Sequence, residues 1–161
     1  MARSRPLKAV VDTNVVAYYL LATDPFVDEV REFWHRPLDL AAPSLWEAEL
    51  TNVLWMAARA GLIENRVALR RLGLAARLGI RSVATRRLWR GALVRACNSN
   101  VAAYDTLFVE LAVREQKPLA TFDAKLLAAF PDVALRPKAL IQSRLNDWPA
   151  NVGYLESANP R

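Results

Sequence analysis

The sequence of 161 residues holds one cysteine and one histidine, and each scarcity removes a class of chemistry. Cys97 alone excludes a disulfide framework and any four-cysteine zinc site. His35 alone excludes a metal centre built on two or three histidines, and no nucleophile motif accompanies it to make a Ser/His/Asp triad. No apolar run reaches the roughly 18 residues that a membrane-spanning helix needs. The N-terminal stretch MARSRPLKAVVDTN starts basic but has too few apolar residues before Asp12 for a signal-peptide core. The expectation is a soluble, cytoplasmic protein with no membrane contact, whose chemistry rests on carboxylates, hydroxyls or arginines. The length suits one domain with a single core. The 53% hydrophobic fraction is rich in alanine, yet Leu, Val, Ile and aromatics suffice to fill that core and exclude a disordered chain.

Acidic residues are missing from one long stretch. Residues 65–104 contain no Asp or Glu but nine arginines: Arg66, Arg70, Arg71, Arg77, Arg81, Arg86, Arg87, Arg90 and Arg95. The formal net charge is +6, so this stretch carries +9 and the rest sums to −3, with 13 basic against 16 acidic residues. Arginine supplies 18 of the 22 basic residues, and its planar fork suits bidentate contact with phosphate. A basic block on a mildly acidic chain points to a polyanionic partner. A solvated helix surface is the alternative that charge alone leaves open.

Apolar patterning predicts strands alternating with helices. Residues 8–12 read as a buried strand ending where Asp12-Thr13-Asn14 offers helix-capping chemistry, followed by a helix over 15–21. Asp24-Pro25 is expected to start a second helix, with Asp as cap and Pro at its first position, running to about His35. A strand over 38–42 leads to a long apolar helix from Ser44 to Ala60, stopped by Gly61. Helices over 64–78 and 85–97 flank a short strand at 80–84. A helix over 101–116, a strand over 118–121, a helix over 123–130 and a strand over 133–135 follow. This alternation implies an α/β layer fold with a mostly parallel sheet. The segment after Pro137 turns more polar, and residues 146–161 are expected to form a tail or a surface-packed extension.

In an open parallel sheet, sites form beyond the carboxyl ends of the strands. Asp12 ends the first strand, Asp123 follows the strand PLAT, and Asp105 lies early in the helix that begins near Val101. Glu47 and Glu49 interrupt the apolar run SLWEAELTNVLWMAA, where an acid buried without a partner is costly. Glu49, Asn52 and Met56 share one helix face by spacing. Each acid has an ordinary alternative: Asp12 and Asp123 as helix caps, Asp105 as a first-turn acid favoured by the helix dipole, Glu49 as a solvated side chain. Capping explains neither Glu49 nor the coincidence of the others at strand ends. Clustered carboxylates repel one another unless cations neutralise them. Oxygen donors without His or Cys favour Mg²⁺ or Mn²⁺ over Zn²⁺. Such ions activate water and stabilise the leaving oxygen of a phosphodiester.

Taken in order, VVDTN at 10–14, ELTNVL at 49–54, YDTLFVELA at 104–112 and PLATFD at 118–123 resemble the PIN-domain family, and within it the VapC-type toxin ribonucleases of toxin–antitoxin pairs. The likeness spans roughly residues 8–136. It implies a three-layer α/β/α domain over residues 1–137, with a central sheet of four to five mostly parallel strands and residues 138–161 as an extension. By the resemblance, Asp12, Glu49, Asp105 and Asp123 are the metal-holding catalytic acids. Glu49 is selected over Glu47 by Asn52 three positions on and Leu54 five positions on. Thr13, Asn14, Asn52 and Thr121 would then orient carboxylates or water. The implied activity is Mg²⁺- or Mn²⁺-dependent endoribonuclease cleavage, with RNA phosphates positioned by Arg86, Arg87 and Arg90. The resemblance further implies a homodimer neutralised by a cognate antitoxin, with operator DNA bound only through the antitoxin complex. Gln116-Lys117 departs from the family, which usually has a Gly before the strand that follows.

Two other classes compete. One is a non-catalytic α/β module whose acids cap helices and whose arginines hold a protein or nucleic acid. The other is an Asp-based phosphotransfer enzyme, in which Asn14 occupies the position where many such enzymes need a second acid. Trp34, Trp46, Trp55 and Trp89 are expected in the core or at a dimer interface rather than as base-stacking platforms.

Overall fold

The computed structural model describes residues 5–143. Its first strand, β1 (Leu7–Val11), is apolar except at Lys8, and Ala9, Val10 and Val11 are fully buried, as a central parallel strand covered on both faces requires. The other strands are β2 (Leu38–Pro43), β3 (Arg81–Val83), β4 (Leu119–Ala120) and β5 (Ala134–Leu135). They form one sheet in the order β3-β2-β1-β4-β5, with every pair parallel. Leu7 lies opposite Leu38, and Val10 and Val11 lie opposite Leu119 and Ala120. The chain builds outward from β1 through β2 to β3, then returns across the sheet to β4 and continues to β5. The reversal puts a topological switch between β1 and β4, and it is outside the carboxyl ends of strands at such a switch that open α/β sheets place their ligands.

Helices fill the crossovers. Between β1 and β2 run α1 (Thr13–Leu21) and α2 (Val27–Trp34), and between β2 and β3 run α3 (Leu45–Arg59) and α4 (Asn65–Ala75). The return connection holds α5 (Trp89–Ser99) and α6 (Ala103–Glu115), with α6 lying on β1 and β2. Right-handed crossovers put α1 to α4 on one face and α5 with α6 on the other, giving three layers. Two short helices, α7 (Ala124–Ala129) and α8 (Pro137–Gln142), complete the described chain. Both faces of the sheet are closed by large apolar side chains, Phe33 on α2 and Phe108 on α6 among them.

Two local expectations are corrected. Asp24-Pro25 does not open α2, which starts at Val27 without a side-chain cap. Phe26 stacks on Tyr18 at 4.6 Å and packs on Phe122 at 4.8 Å, which holds the preceding residues in a turn. The helix expected over 85–97 divides into a 3-10 turn at Thr85–Arg87 and α5, with Leu88 buried between them. After Pro137 the chain forms α8: Leu140 is buried, α8 packs on α2, and Arg136 pairs with Glu29. The polar stretch 146–161 lies outside the described residues. Trp46 is buried and Trp34 half-buried, but Trp55 and Trp89 are exposed.

Phe108 lies on α6 three residues after Asp105 and is 1% exposed. Phe108→Ala should cost about 3–5 kcal/mol of stability, measured as a lower urea midpoint with an unchanged denaturant slope.

Candidate active site

The carboxyl end of β1 fixes the first acid. The Asp12 N–H donates to the Ala120 carbonyl at 2.9 Å, which extends the β1–β4 pairing by one residue and brings Asp12 beside Thr121. Asp12 caps α1, with Oδ1 accepting from the Thr13 N–H at 2.7 Å. Its Oδ2 accepts from the Thr121 hydroxyl at 2.7 Å and from the Asn14 amide at 3.2 Å. Asn14 also accepts from the Phe122 N–H at 3.2 Å. The Thr121 hydroxyl in turn accepts from the Asp123 N–H at 2.9 Å. Residues 12–14 and 121–123 are thus joined by a closed set of hydrogen bonds across the switch point.

The other acids approach from the two helical layers. Glu49, on α3, accepts from the Thr13 hydroxyl at 2.5 Å, so Thr13 ties it to the start of α1. Asp105 lies in the first turn of α6. Asp123 caps α7, its Oδ1 accepting from the N–H groups of Lys125 and Leu126. Glu47 points elsewhere and accepts from the Ser82 hydroxyl.

Burial pushes the Asp12 carboxyl up to about 7; hydrogen bonds from Thr121 and Thr13 oppose the shift, and the charges of Glu49 and Asp105 add to it. Glu49 is raised by burial, against its hydrogen bond from Thr13 and with help from the charge of Asp105. Asp105 is raised by burial and by the charge of Asp123, with Lys125 opposing. These mutual repulsions link all four acids into one electrostatic group.

Of the expected orienting residues, Thr13, Asn14 and Thr121 bond to site carboxylates. Asn52 does not: it is exposed, and its amide contacts the Met56 sulfur one turn on. Arg86, Arg87 and Arg90 are exposed and form no ion pair among the described residues. The Arg87 carbonyl accepts from Arg114, nine residues along α6 from Asp105, or about 13 Å at the helical rise. Arg66, Arg81 and Arg95 pair with Glu64, Glu115 and Glu110. The sequence reading missed Glu110, buried on α6 and paired with both Arg95 and Arg114; its i, i+4 spacing to Arg114 was the available signal.

The donor set fits a hard divalent cation. It consists of carboxylate oxygens, with hydroxyl and amide groups orienting them and neither thiol nor imidazole competing. Among the described residues, Lys125 near Asp105 is the one cation that opposes the shift of a raised acid. The fit is one of ligand type and charge, not of a closed cage. Among the described residues, no three His, Cys, Asp or Glu side chains group tightly enough to enclose an ion.

The PIN domain family model matches residues 9–132. A search among curated proteins finds no match. Among solved structures, the chain is similar to one from a toxin-antitoxin complex from Klebsiella pneumoniae, with a TM-score of 0.56 and 17% sequence identity. The alignment covers 80% of this chain and 97% of that one, and at this identity the likeness is one of fold.

The Asp12 shift has a signed consequence for stability. The ordinary carboxyl value is 3.8 and the folded value about 7, so between them the folded state binds the extra proton. Its contribution is complete below the lower value and is lost as pH rises through the higher one. Metal-free protein should lose up to about 1.4 kcal/mol per pH unit from this group across that window. Glu49 and Asp105, also raised, act with the same sign. Urea unfolding in EDTA at about pH 5 and about pH 7 reads the loss, and equal stability at both would contradict the shift.

Proposed function

The chain belongs to the PIN-domain family, and from that premise we propose that it is a Mg²⁺- or Mn²⁺-dependent endoribonuclease, the VapC-type toxin of a toxin–antitoxin pair. PIN domains are generally nucleases, and hydrolysis of a phosphodiester is chemistry that a group of carboxylates at a switch-point crevice supports. The observation that carries the reading is the joining of Asp12 and Asp123, at the ends of β1 and β4, through the Thr121 hydroxyl, with Glu49 tied to the same edge by Thr13. These four would hold the ion, which when bound supplies an activated water and charge neutralisation at the leaving oxygen. Thr121 and Asn14 fix the orientation of the Asp12 carboxylate, and Thr13 fixes that of Glu49. Arg86, Arg87 and Arg90 take RNA phosphates outside the acidic pocket.

The domain spans residues 1–137 in this reading, with 138–161 an extension. A cognate antitoxin and a homodimeric, cytoplasmic toxin belong to it as well, with operator DNA bound only through the antitoxin complex. Support for a protein partner comes from the solved neighbour, itself part of a toxin-antitoxin complex. Exposed Trp55, Met56, Leu62 and Leu69, on and between α3 and α4, are consistent with a covered surface.

A second reading draws on the capping geometry. Asp12 and Asp123 both cap helices, as they would in a non-catalytic binding module. Cleavage separates the two. Freed of partner, the protein should cut single-stranded RNA with Mn²⁺ and not with EDTA. Asp12→Asn should keep its circular dichroism spectrum and lose cleavage by more than about 100-fold, the upper range for disturbing a group that only orients a ligand. Undiminished cleavage by Asp12→Asn would remove the assignment. Thr121→Val, which deletes one hydroxyl behind Asp12, should lose about 10–100-fold.

A further inference from the structure

The segment from Thr85 to Arg90 is held more firmly than a solvated loop requires. The Ser44 hydroxyl accepts from the Thr85 N–H at 3.3 Å and meets the Thr85 hydroxyl at 3.2 Å. Leu88 is inserted into the core, and the Arg87 carbonyl accepts from Arg114 at 2.7 Å. Arg114 is itself fixed by Glu110, which also accepts from Arg95 at 2.8 Å. Room for the Glu110 carboxylate exists because α5 has a glycine at its crossing: a Cβ on Gly91 would lie 2.2 Å from Oε1 of Glu110. A buried acid, two arginines and a glycine thus anchor this turn from behind.

On its outer side the turn presents unneutralised cations and an aromatic ring. Arg86, Arg87 and Arg90 are exposed, and Trp89 is 58% exposed with the Arg86 guanidinium 5.6 Å from its ring centre. An exposed indole among unpaired arginines on a fixed backbone matches what a single strand needs: a stacking surface for a base and charge for the flanking phosphates. Leu93 and Val94 continue the exposed face along α5, a feature shared with protein interfaces. A second copy of the chain is the poorer occupant. A two-fold contact sets the same patch against itself, which would bring Arg86, Arg87 and Arg90 against the same three arginines.

We infer that Arg86, Arg87, Trp89 and Arg90 form an exosite for single-stranded RNA, separate from the acidic pocket and held in place by Glu110 through Arg114. Trp89 stacks one base, and the three arginines hold neighbouring phosphates. The turn is anchored on α6 through Glu110 and Arg114, five and nine residues after Asp105, so the exosite takes nucleotides beyond those held at the acids. The inference rests on the ribonuclease reading, but its test needs no cleavage.

Anisotropy of a fluorescein-labelled single-stranded RNA of about 12 nucleotides, titrated with the metal-free full chain in EDTA, reads the exosite directly. Trp89→Ala should weaken binding about tenfold, within the range for losing one base stack, and Trp89→Phe should keep most of the affinity. Replacing Arg86, Arg87 and Arg90 together by Ala should reduce the slope of log affinity against log salt by about 2. Gly91→Ala changes no charge but displaces Glu110, so a several-fold loss in that variant would report positioning. Arg31→Ala, on α2, removes one charge elsewhere and should bind as the parent does. Parent-like affinity in Trp89→Ala and the triple variant, with the parent binding RNA, would overturn the exosite and leave the nuclease reading to the Asp12→Asn assay. Absence of RNA binding by the parent would likewise overturn the exosite, and the nuclease reading would again rest on cleavage with Mn²⁺. Loss of self-association in Trp89→Ala at unchanged RNA affinity would make the face a contact between copies, and the inference would fall.

Discussion

The hydrogen bond from the Thr121 hydroxyl to Asp12 is the contact on which the site depends. It joins the ends of β1 and β4, the two strands between which the chain reverses its course across the sheet. The same hydroxyl accepts from the Asp123 N–H, so one oxygen aligns two acids that lie far apart in sequence. Asn14 adds a parallel tie by donating to Asp12 and accepting from the Phe122 N–H. Phe122 is pinned in turn by Phe26 and by Arg136, whose guanidinium lies 5.1 Å from its ring centre. The edge of the crevice is therefore set by packing on both sides, and the carboxylates inherit a geometry they would not adopt by themselves.

Charge is organised on two scales. Locally, burial and like neighbours work against ionisation of Asp12, Glu49 and Asp105, and the few donors among them only moderate the cost. Across the chain, the +9 stretch proves to be two populations. Arg66, Arg81 and Arg95 are paired with Glu64, Glu115 and Glu110, all of which lie outside residues 65–104. A third of the nine arginines thus gain an acid, two of them only once the fold brings α5 against α6 and the start of β3 near the end of α6. The other six form no ion pair among the described residues: Arg70, Arg71 and Arg77 on and just after α4, and Arg86, Arg87 and Arg90 clustered around the start of α5, where three charges within five residues give a localised field.

Legibility in the sequence follows the range of the interactions. The β1 strand, the DTN turn and the order of the four acids are local patterns, and the alternation of elements sufficed to infer a parallel sheet. The start of α2 was misjudged because Asp24-Pro25 carries a strong local capping signal that loses to the stacking of Phe26 on Tyr18. Residues 85–97 have helical periodicity throughout, yet burial of Leu88 breaks them into two pieces. Asn52 shares a face with Glu49 by spacing, but its amide turns to Met56, a choice no periodicity encodes. The division of the arginines was equally hidden, since Arg81 meets Glu115 across 34 residues and Arg95 meets Glu110 only when two helices cross at a glycine.

The sequence also posed capping and ligation as rival roles for Asp12 and Asp123, and the geometry removes the rivalry. A carboxylate has two oxygens and about four lone-pair directions, and a cap needs only one of them. In Asp123 the cap uses Oδ1 alone, and Oδ2 makes no hydrogen bond among the described residues. In Asp12 the α1 cap uses Oδ1, while Oδ2 takes the two side-chain donors that fix its plane. A helix start thus offers a carboxylate a rigid anchor and a favourable dipole while leaving acceptor capacity unused. Capping is then the means by which two of the acids are held at the crevice. It weakens the binding-module reading, because the feature that suggested it is equally a requirement of a site whose ligands must stand still before any cation arrives.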